Sequence, residues 1–168
     1  EAAERAFPRW RDTAPEERGA VLERAAALLC ERLDVAAAAL TAEQGKTLAE
    51  SRAEIERAID TLLWHAAQAP SLCELRATDW GEAMIAPEPI GVVGAFTPWN
   101  YPAVIIARKL GAALTAGCTV VLKAAEETPA TAVHLVRALE NAGLPAGVVN
   151  LVFGEPASIS SQLLDSAA

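Results

Sequence analysis

The second half of the chain constrains the fold most. Three nearly continuous β-rich apolar runs, at residues 90–96, 119–123 and 148–153, alternate with segments of helical periodicity at 102–116 and 129–142. Runs of this kind belong to strands covered on both faces, as in a parallel sheet. Strand, helix, strand, helix, strand in this order predicts βαβ units with right-handed crossovers. Gly117 and Gly143 stand where the two helices should end, and a further helix should start near Ala157. Three parallel strands make half of a doubly wound nucleotide-binding sheet. The predicted class is therefore α/β, with the first half of a Rossmann-like sheet. The sequence stops in the helix that should lead to a fourth strand, which points to a truncated portion of a longer polypeptide, or to a remnant of one that at most binds nucleotide or a partner subunit.

Residues 1–70 read as helical. Thr13 is placed to cap a helix in which Pro15, Glu16 and Glu17 occupy the first turn. Val21, Leu22, Ala25, Leu28, Leu29 and Leu33 follow at helical spacing. A second helix is expected over 34–44, closed by Gly45. A third is expected from about 47 to 68, with Leu48, Ile55, Ile59, Leu62, Leu63 and Ala66 on its apolar face and Glu50, Arg52, Glu54, Glu56 and Arg57 on its other, charged face; Pro70 should stop it. Residues 71–90 mix turn formers with Trp80, Met84 and Ile85 and read as an extended excursion able to close as a hairpin. The expected organisation is a helical part at 1–70, an extended segment at 71–90 and a partial nucleotide-binding unit at 91–168.

Hydrophobic residues make up 52% of the chain and charged residues 21%, which excludes global disorder. The net charge of −8 argues against a nucleic-acid or anionic-membrane partner. No apolar stretch approaches the roughly 18 residues of a transmembrane helix. The start, with Glu1, Glu4 and Arg5, lacks the basic-then-apolar pattern of a secretory signal; it also lacks Met, which leaves room for residues upstream. Cys30, Cys73 and Cys118 are odd in number and widely spaced, which fits a reducing cytosol better than a disulfide framework or a zinc site. None of the three has the exposed, electropositive setting that a nucleophilic thiolate needs. His65 and His134 have no partners at metal spacing, so no metal is expected.

Chemistry is expected beyond the carboxyl ends of the strands, where open α/β sheets bind ligands. After the first strand comes Thr97-Pro98-Trp99-Asn100-Tyr101-Pro102. Asn100 there is either an amide donor for an oxyanion or a helix cap. After the second strand, Lys123 and Glu126 either hold a ribose or form a solvated turn, with Thr128 capping the next helix. Gly154 opens the third crossover, either as a phosphate-binding turn or as a plain β-to-α turn. Arg108 and Lys109 interrupt an apolar helix; they either reach an acidic ligand or snorkel to solvent.

Taken together, the segments 89–102, 113–123, Glu126 with Thr128-Pro129, and 142–150 resemble the aldehyde dehydrogenase superfamily, and the resemblance extends over the whole chain. Glu43-Gln44-Gly45-Lys46-Thr47 is similar to the family's N-terminal helical region. The resemblance implies that Asn100 helps hold the thiohemiacetal oxyanion. It implies that Phe96, Thr97, Pro98, Trp99 and Gly154 line the cofactor site, and that Lys123 and Glu126 bind the adenosine ribose. A carboxylate at Glu126 repels a 2′-phosphate, so NAD is favoured over NADP. The spacing from Asn100 to Arg108-Lys109 resembles the succinate-semialdehyde dehydrogenase branch, in which the matching arginine binds the substrate's far carboxylate. The implied partners are a small-molecule aldehyde and further copies of the chain in a homodimer or homotetramer, with 71–90 in the oligomerisation arm; the implied location is cytoplasmic. Ala124 stands where the family usually has proline, and Ala157 and Ser160 where many members carry glycine. The family's nucleophilic cysteine and general-base glutamate lie downstream, so 1–168 by itself is expected to be inactive.

Overall fold

The computed structural model describes residues 1–72, 76–81 and 84–166. Four helices come first: α1 (Ala2–Arg11), α2 (Pro15–Glu31), α3 (Leu33–Gln44) and α4 (Leu48–Leu72). Two short strands, β1 (Arg76–Ala77) and β2 (Met84–Ile85), pair antiparallel as a hairpin within 71–90. Then follow β3 (Val92–Phe96), α5 (Pro102–Thr115), β4 (Thr119–Lys123), α6 (Pro129–Asn141), β5 (Val149–Val152) and α7 (Pro156–Leu164). The last three strands form a parallel sheet in the order β3–β4–β5, with Val93 opposite Val120 and Leu122 opposite Leu151. This is the expected strand–helix alternation.

The crossover helices begin and end on local chemistry. Pro102 and Pro129 sit at their first positions, where a missing N–H costs nothing. At the end of α5, Gly117 adopts φ +89°. Its N–H reaches the Leu114 carbonyl at 3.1 Å while that of Cys118 reaches Ala113 at 2.9 Å. That paired closure satisfies carbonyls a helix end would otherwise leave open.

The N-terminal helices share one core with the crossover helices. Leu22 on α2, Ile55 on α4, Leu110 on α5, Leu122 on β4 and Leu139 on α6 belong to one buried cluster. Helix α4 packs between α2 and α5. Gly19 permits the first contact, since a Cβ there would lie 2.8 Å from the Ala66 carbonyl oxygen. Two side chains from the N-terminal helices finish the C-terminus of α5. The buried Trp10 indole donates to the Leu114 carbonyl at 3.2 Å, and the buried Arg18 guanidinium donates to the Thr115 carbonyl at 3.1 Å.

Several local expectations are corrected. Thr13 does not cap α2: its hydroxyl donates back to the Arg9 carbonyl at 2.9 Å, and Ala14 occupies the cap position. Pro70 does not stop α4, which continues to Leu72. The proline leaves the Ala66 carbonyl without an N–H from position 70, and that carbonyl lies against Gly19. Leu48 and Leu63 are exposed, because the buried stripe of α4 runs along Ile55, Ala58, Leu62, Ala66 and Ala69. The start of α4 carries a capping box: the Thr47 N–H donates to the Glu50 carboxylate at 2.9 Å, and the Glu50 N–H donates to the Thr47 hydroxyl at 3.2 Å.

Candidate active site

The site lies beyond the carboxyl ends of β3, β4 and β5. The parallel ladder runs on into the first loop, where the Thr97 N–H donates to the Lys123 carbonyl at 3.2 Å. Lys123 is buried, and its Nζ lies 2.5 Å from the Glu126 carboxylate. The other Glu126 oxygen accepts from the Gly154 N–H at 3.4 Å. Glu126 therefore joins the loops that follow β4 and β5. Its hydrogen bond from Lys123 is the main cause holding its pKa below the ordinary carboxylate value, so it is anionic at neutral pH. A carboxylate offers about four acceptor sites and an ammonium three donors, so the pair keeps capacity for ligand hydroxyls.

Gly154 has φ +142°, a conformation suited to glycine. The helix end that follows does not present free N–H groups. Glu155 caps α7 with its own carboxylate, accepting from Ala157 at 3.2 Å and Ser158 at 2.7 Å. Gly154 thus contributes an N–H to Glu126, and the phosphate-binding role of this turn meets a carboxylate already seated on α7.

Asn100 is exposed, and among the described residues its side-chain amide has no hydrogen-bond partner. It does not cap α5; Tyr101 occupies the cap position without a side-chain bond. The cap comes instead from α4, where Glu54 accepts from the Ala103 N–H at 2.9 Å. The same device holds α6. Glu43 accepts from the N–H groups of Ala130 and Thr131, both at 2.8 Å, while Thr128 stands at the cap position without capping. The hydroxyls of Thr97 and Thr128 are buried and have no hydrogen-bond partner among the described residues. Phe96, Pro98, Trp99 and Phe153 are exposed around these loops.

Arg108 and Lys109 face different surroundings. Arg108 lines a cleft of about 490 Å³ between α4 and α5, with Arg57, Asp60, Trp64, His65 and Val104. Among the described residues, no carboxylate forms an ion pair with Arg57 or Arg108. Burial pushes the His65 imidazole below its ordinary pKa, so at neutral pH it adds no positive charge to the cleft, and Asp60 is the carboxylate among the lining residues. Lys109 instead borders a groove with Glu88, Ile90 and Cys118. Cys30 is exposed on α2, Cys118 is buried, and Cys73 lies outside the described residues. Among the described residues no group of three His, Cys, Asp or Glu side chains could hold a metal ion, and no helix is long and apolar enough to cross a membrane.

Comparison with known proteins decides the family. Residues 1–168 match the model of the aldehyde dehydrogenase family. The chain belongs to that family. It is 45% identical over 170 residues to 4-(hydroxymethyl)benzenesulfonate dehydrogenase of Comamonas testosteroni, covering 99% of this chain and 35% of the relative. It is 39% identical to the NADP-dependent succinate-semialdehyde dehydrogenase of Escherichia coli, covering 97% of this chain and 34% of the relative. The crystal structure of succinate-semialdehyde dehydrogenase from Burkholderia pseudomallei superposes with a TM-score of 0.90 at 40% identity, covering 98% of this chain and 35% of that one. The chain thus spans about a third of the length of these relatives.

Aldehyde dehydrogenases use NAD or NADP. The residues present suit such a cofactor: an anionic Glu126 beside Lys123 matches ribose hydroxyls, and the orphaned Thr97 hydroxyl lies in the adjoining loop. Four members of the site were not singled out from the sequence. Glu43 and Lys46 lay in a quoted motif without a role, Arg57 read as part of a solvated helix face, and Glu54 read as an outward charge.

Proposed function

We propose that this chain is the amino-terminal part of an NAD-dependent aldehyde dehydrogenase. Its substrate is an aldehyde with an anionic far end, succinate semialdehyde or a similar semialdehyde acid, which it oxidises to the carboxylic acid. The observation that carries the reading is Glu126, anionic, paired with Lys123 and bridged to Gly154 at the carboxyl edge of a parallel sheet. Bound there, NAD would supply the hydride acceptor. Lys123 and Glu126 would hold its adenosine ribose, and Phe96, Thr97, Pro98 and Trp99 would line its pocket. Asn100 would present its amide to the oxyanion that forms on the aldehyde carbon, because among the described residues its side chain has no other engagement.

Arg108 would bind the anionic end of the substrate. Support comes from its position in a cleft with a second guanidinium, Arg57, and from relatives whose names carry a sulfonate or a semialdehyde acid. Planar guanidinium groups suit both anions. Residues 1–70 form the helical part of the cofactor domain, 71–90 part of an oligomerisation arm, and 91–168 the first part of the nucleotide-binding unit. The protein would work in the cytoplasm as a homodimer or homotetramer. Residues 1–168 alone give no turnover in this reading, since the nucleophile and general base must come from elsewhere in the polypeptide.

The cofactor half of the reading is tested by nucleotide binding to Glu126→Gln, in protein expressed from the complete reading frame. The amide keeps an acceptor for ribose but loses the charge that opposes a 2′-phosphate. NADP binding should tighten by about tenfold or more relative to NAD, the scale of one unit charge a few ångströms away at an effective dielectric near 20. An unchanged NAD-to-NADP ratio in an equilibrium titration would remove Glu126 from the cofactor site.

A further inference from the structure

Lys46 and Glu54 have no part in the cofactor and substrate roles proposed above, yet both act on the turn that carries Asn100. Glu54 lies on α4 with its side chain 1% exposed, and Lys46 follows the C-cap of α3 with its side chain 12% exposed. The two form an ion pair. One Glu54 oxygen accepts from the Ala103 N–H at 2.9 Å, and the other takes the Lys46 ammonium. Lys46 Nζ also donates to the Asn100 carbonyl at 3.2 Å and lies 4.5 Å from the centre of the Tyr101 ring.

Each contact has a reason in local chemistry. Pro102 leaves Ala103 as the first N–H of α5, and Tyr101 at the cap position makes no side-chain cap bond. A carboxylate at a helix N-terminus is favoured by the dipole as well as by the hydrogen bond. A carboxylate this buried would be costly alone, and the lysine makes it tolerable. The lysine then uses its remaining protons on the neighbouring carbonyl and its charge on the tyrosine ring. The result is a bracket that grips the Asn100–Ala103 segment from both sides: its main-chain carbonyl before the helix and its main-chain N–H inside it. Gly45 is needed to bring Lys46 there, since the chain turns at φ +88° directly before it.

We infer that Lys46 and Glu54 are positioning residues for the Asn100 amide, fixing the turn so that the donor is aimed before substrate arrives. This rests on the reading of Asn100 as the oxyanion donor. Neither residue touches the reacting atoms; they act through the backbone of the turn. Donors of this kind work because their orientation is fixed in advance, and a shift near 1 Å in a catalytic group can cost about a hundredfold.

The test uses protein from the complete reading frame and the variants Lys46→Met, Lys46→Arg and Asn100→Ala, alone and combined. Lys46 is chosen over Glu54 because its loss leaves the Ala103 cap in place, and Lys46→Arg keeps the positive charge that the buried carboxylate needs. Lys46→Met is expected to lower kcat by about tenfold or more with KM and NAD affinity within about twofold, and Lys46→Arg to restore part of it. In the Asn100→Ala background, Lys46→Met should cost little more, because the donor it aims is already gone. Full additivity of the two losses would overturn the inference while leaving Asn100 as donor. An Asn100→Ala protein with undiminished kcat would instead overturn the reading beneath it. Hydrogen exchange needs no turnover: the peptide covering 99–105 should exchange at least about tenfold faster in Lys46→Met. Unchanged exchange there would overturn the inference whatever the activity.

Discussion

Asn100→Ala is expected to lower kcat by about a hundred- to a thousandfold, the range for loss of one oxyanion donor. In this structure the side chain is exposed and makes no hydrogen bond among the described residues. Nothing in the fold therefore depends on it, and the melting temperature should move by no more than a surface substitution moves it, about 0.5 kcal/mol in stability. That separation of activity from stability is the useful feature. A capping asparagine would do the reverse, costing roughly 1 kcal/mol of stability and little rate. The cap is in fact supplied by Glu54. Asn100→Asp should be at least as damaging as alanine, because a carboxylate repels the developing negative charge. The measurement is steady-state kcat beside a thermal melt of the same preparations, from the complete reading frame. A variant that melts early yet turns over normally would assign Asn100 to the fold.

Arg18→Met is expected to be the most destabilising of the substitutions considered. The Arg18 side chain is buried and donates to carbonyls at two helix ends: Thr115 at the end of α5, and Arg11, the last residue of α1, with Thr13 just beyond it, at 3.1, 3.2 and 2.6 Å. The guanidinium also sits at the negative end of the α5 dipole. Methionine preserves much of the stem's volume and removes every donor, leaving carbonyls to be buried unmet. Each orphaned group costs about 1–3 kcal/mol, offset in part because a buried charge is also removed. A net loss of about 3 kcal/mol lowers the melting temperature by roughly 6–12 °C for a chain of this length. Arg5→Met is the control, since Arg5 is exposed on α1, and should stay within about 0.5 kcal/mol. A loss below about 1 kcal/mol for Arg18→Met would mean that water reaches those carbonyls.

The sheet was readable because its signals are local. The apolar runs that became β3, β4 and β5 fill both faces, and Pro102, Pro129, Gly117 and Gly143 mark helix ends by their own backbone geometry. The caps were not readable for the opposite reason. Thr13, Asn100 and Thr128 have the right chemistry at the right local positions, yet α5 and α6 are capped by Glu54 and Glu43 from 49 and 87 residues away. Such contacts exist only once α4 has packed against α5 and α3 against α6. Pro70 shows the same override, because the carbonyl it leaves open meets Gly19 of another helix. At the site, the placement of Lys123 and Glu126 just after a strand was legible, while the sequence left a ribose site and a solvated turn both open. Arg108 was ambiguous between a ligand and a snorkelling side chain, and Arg57 on α4 explains why: a cleft shared by two helices has no signature in either one.

The most direct test of the whole reading is NADH formation by protein expressed from the complete reading frame, with succinate semialdehyde compared against butanal. The carboxylate should raise kcat/KM by about ten- to a hundredfold over the uncharged aldehyde, the worth of a charge-assisted hydrogen bond at Arg108. NADH produced with that preference would support both the cofactor site and the anion cleft. No NADH from either aldehyde, or butanal used as well as the acid, would contradict it.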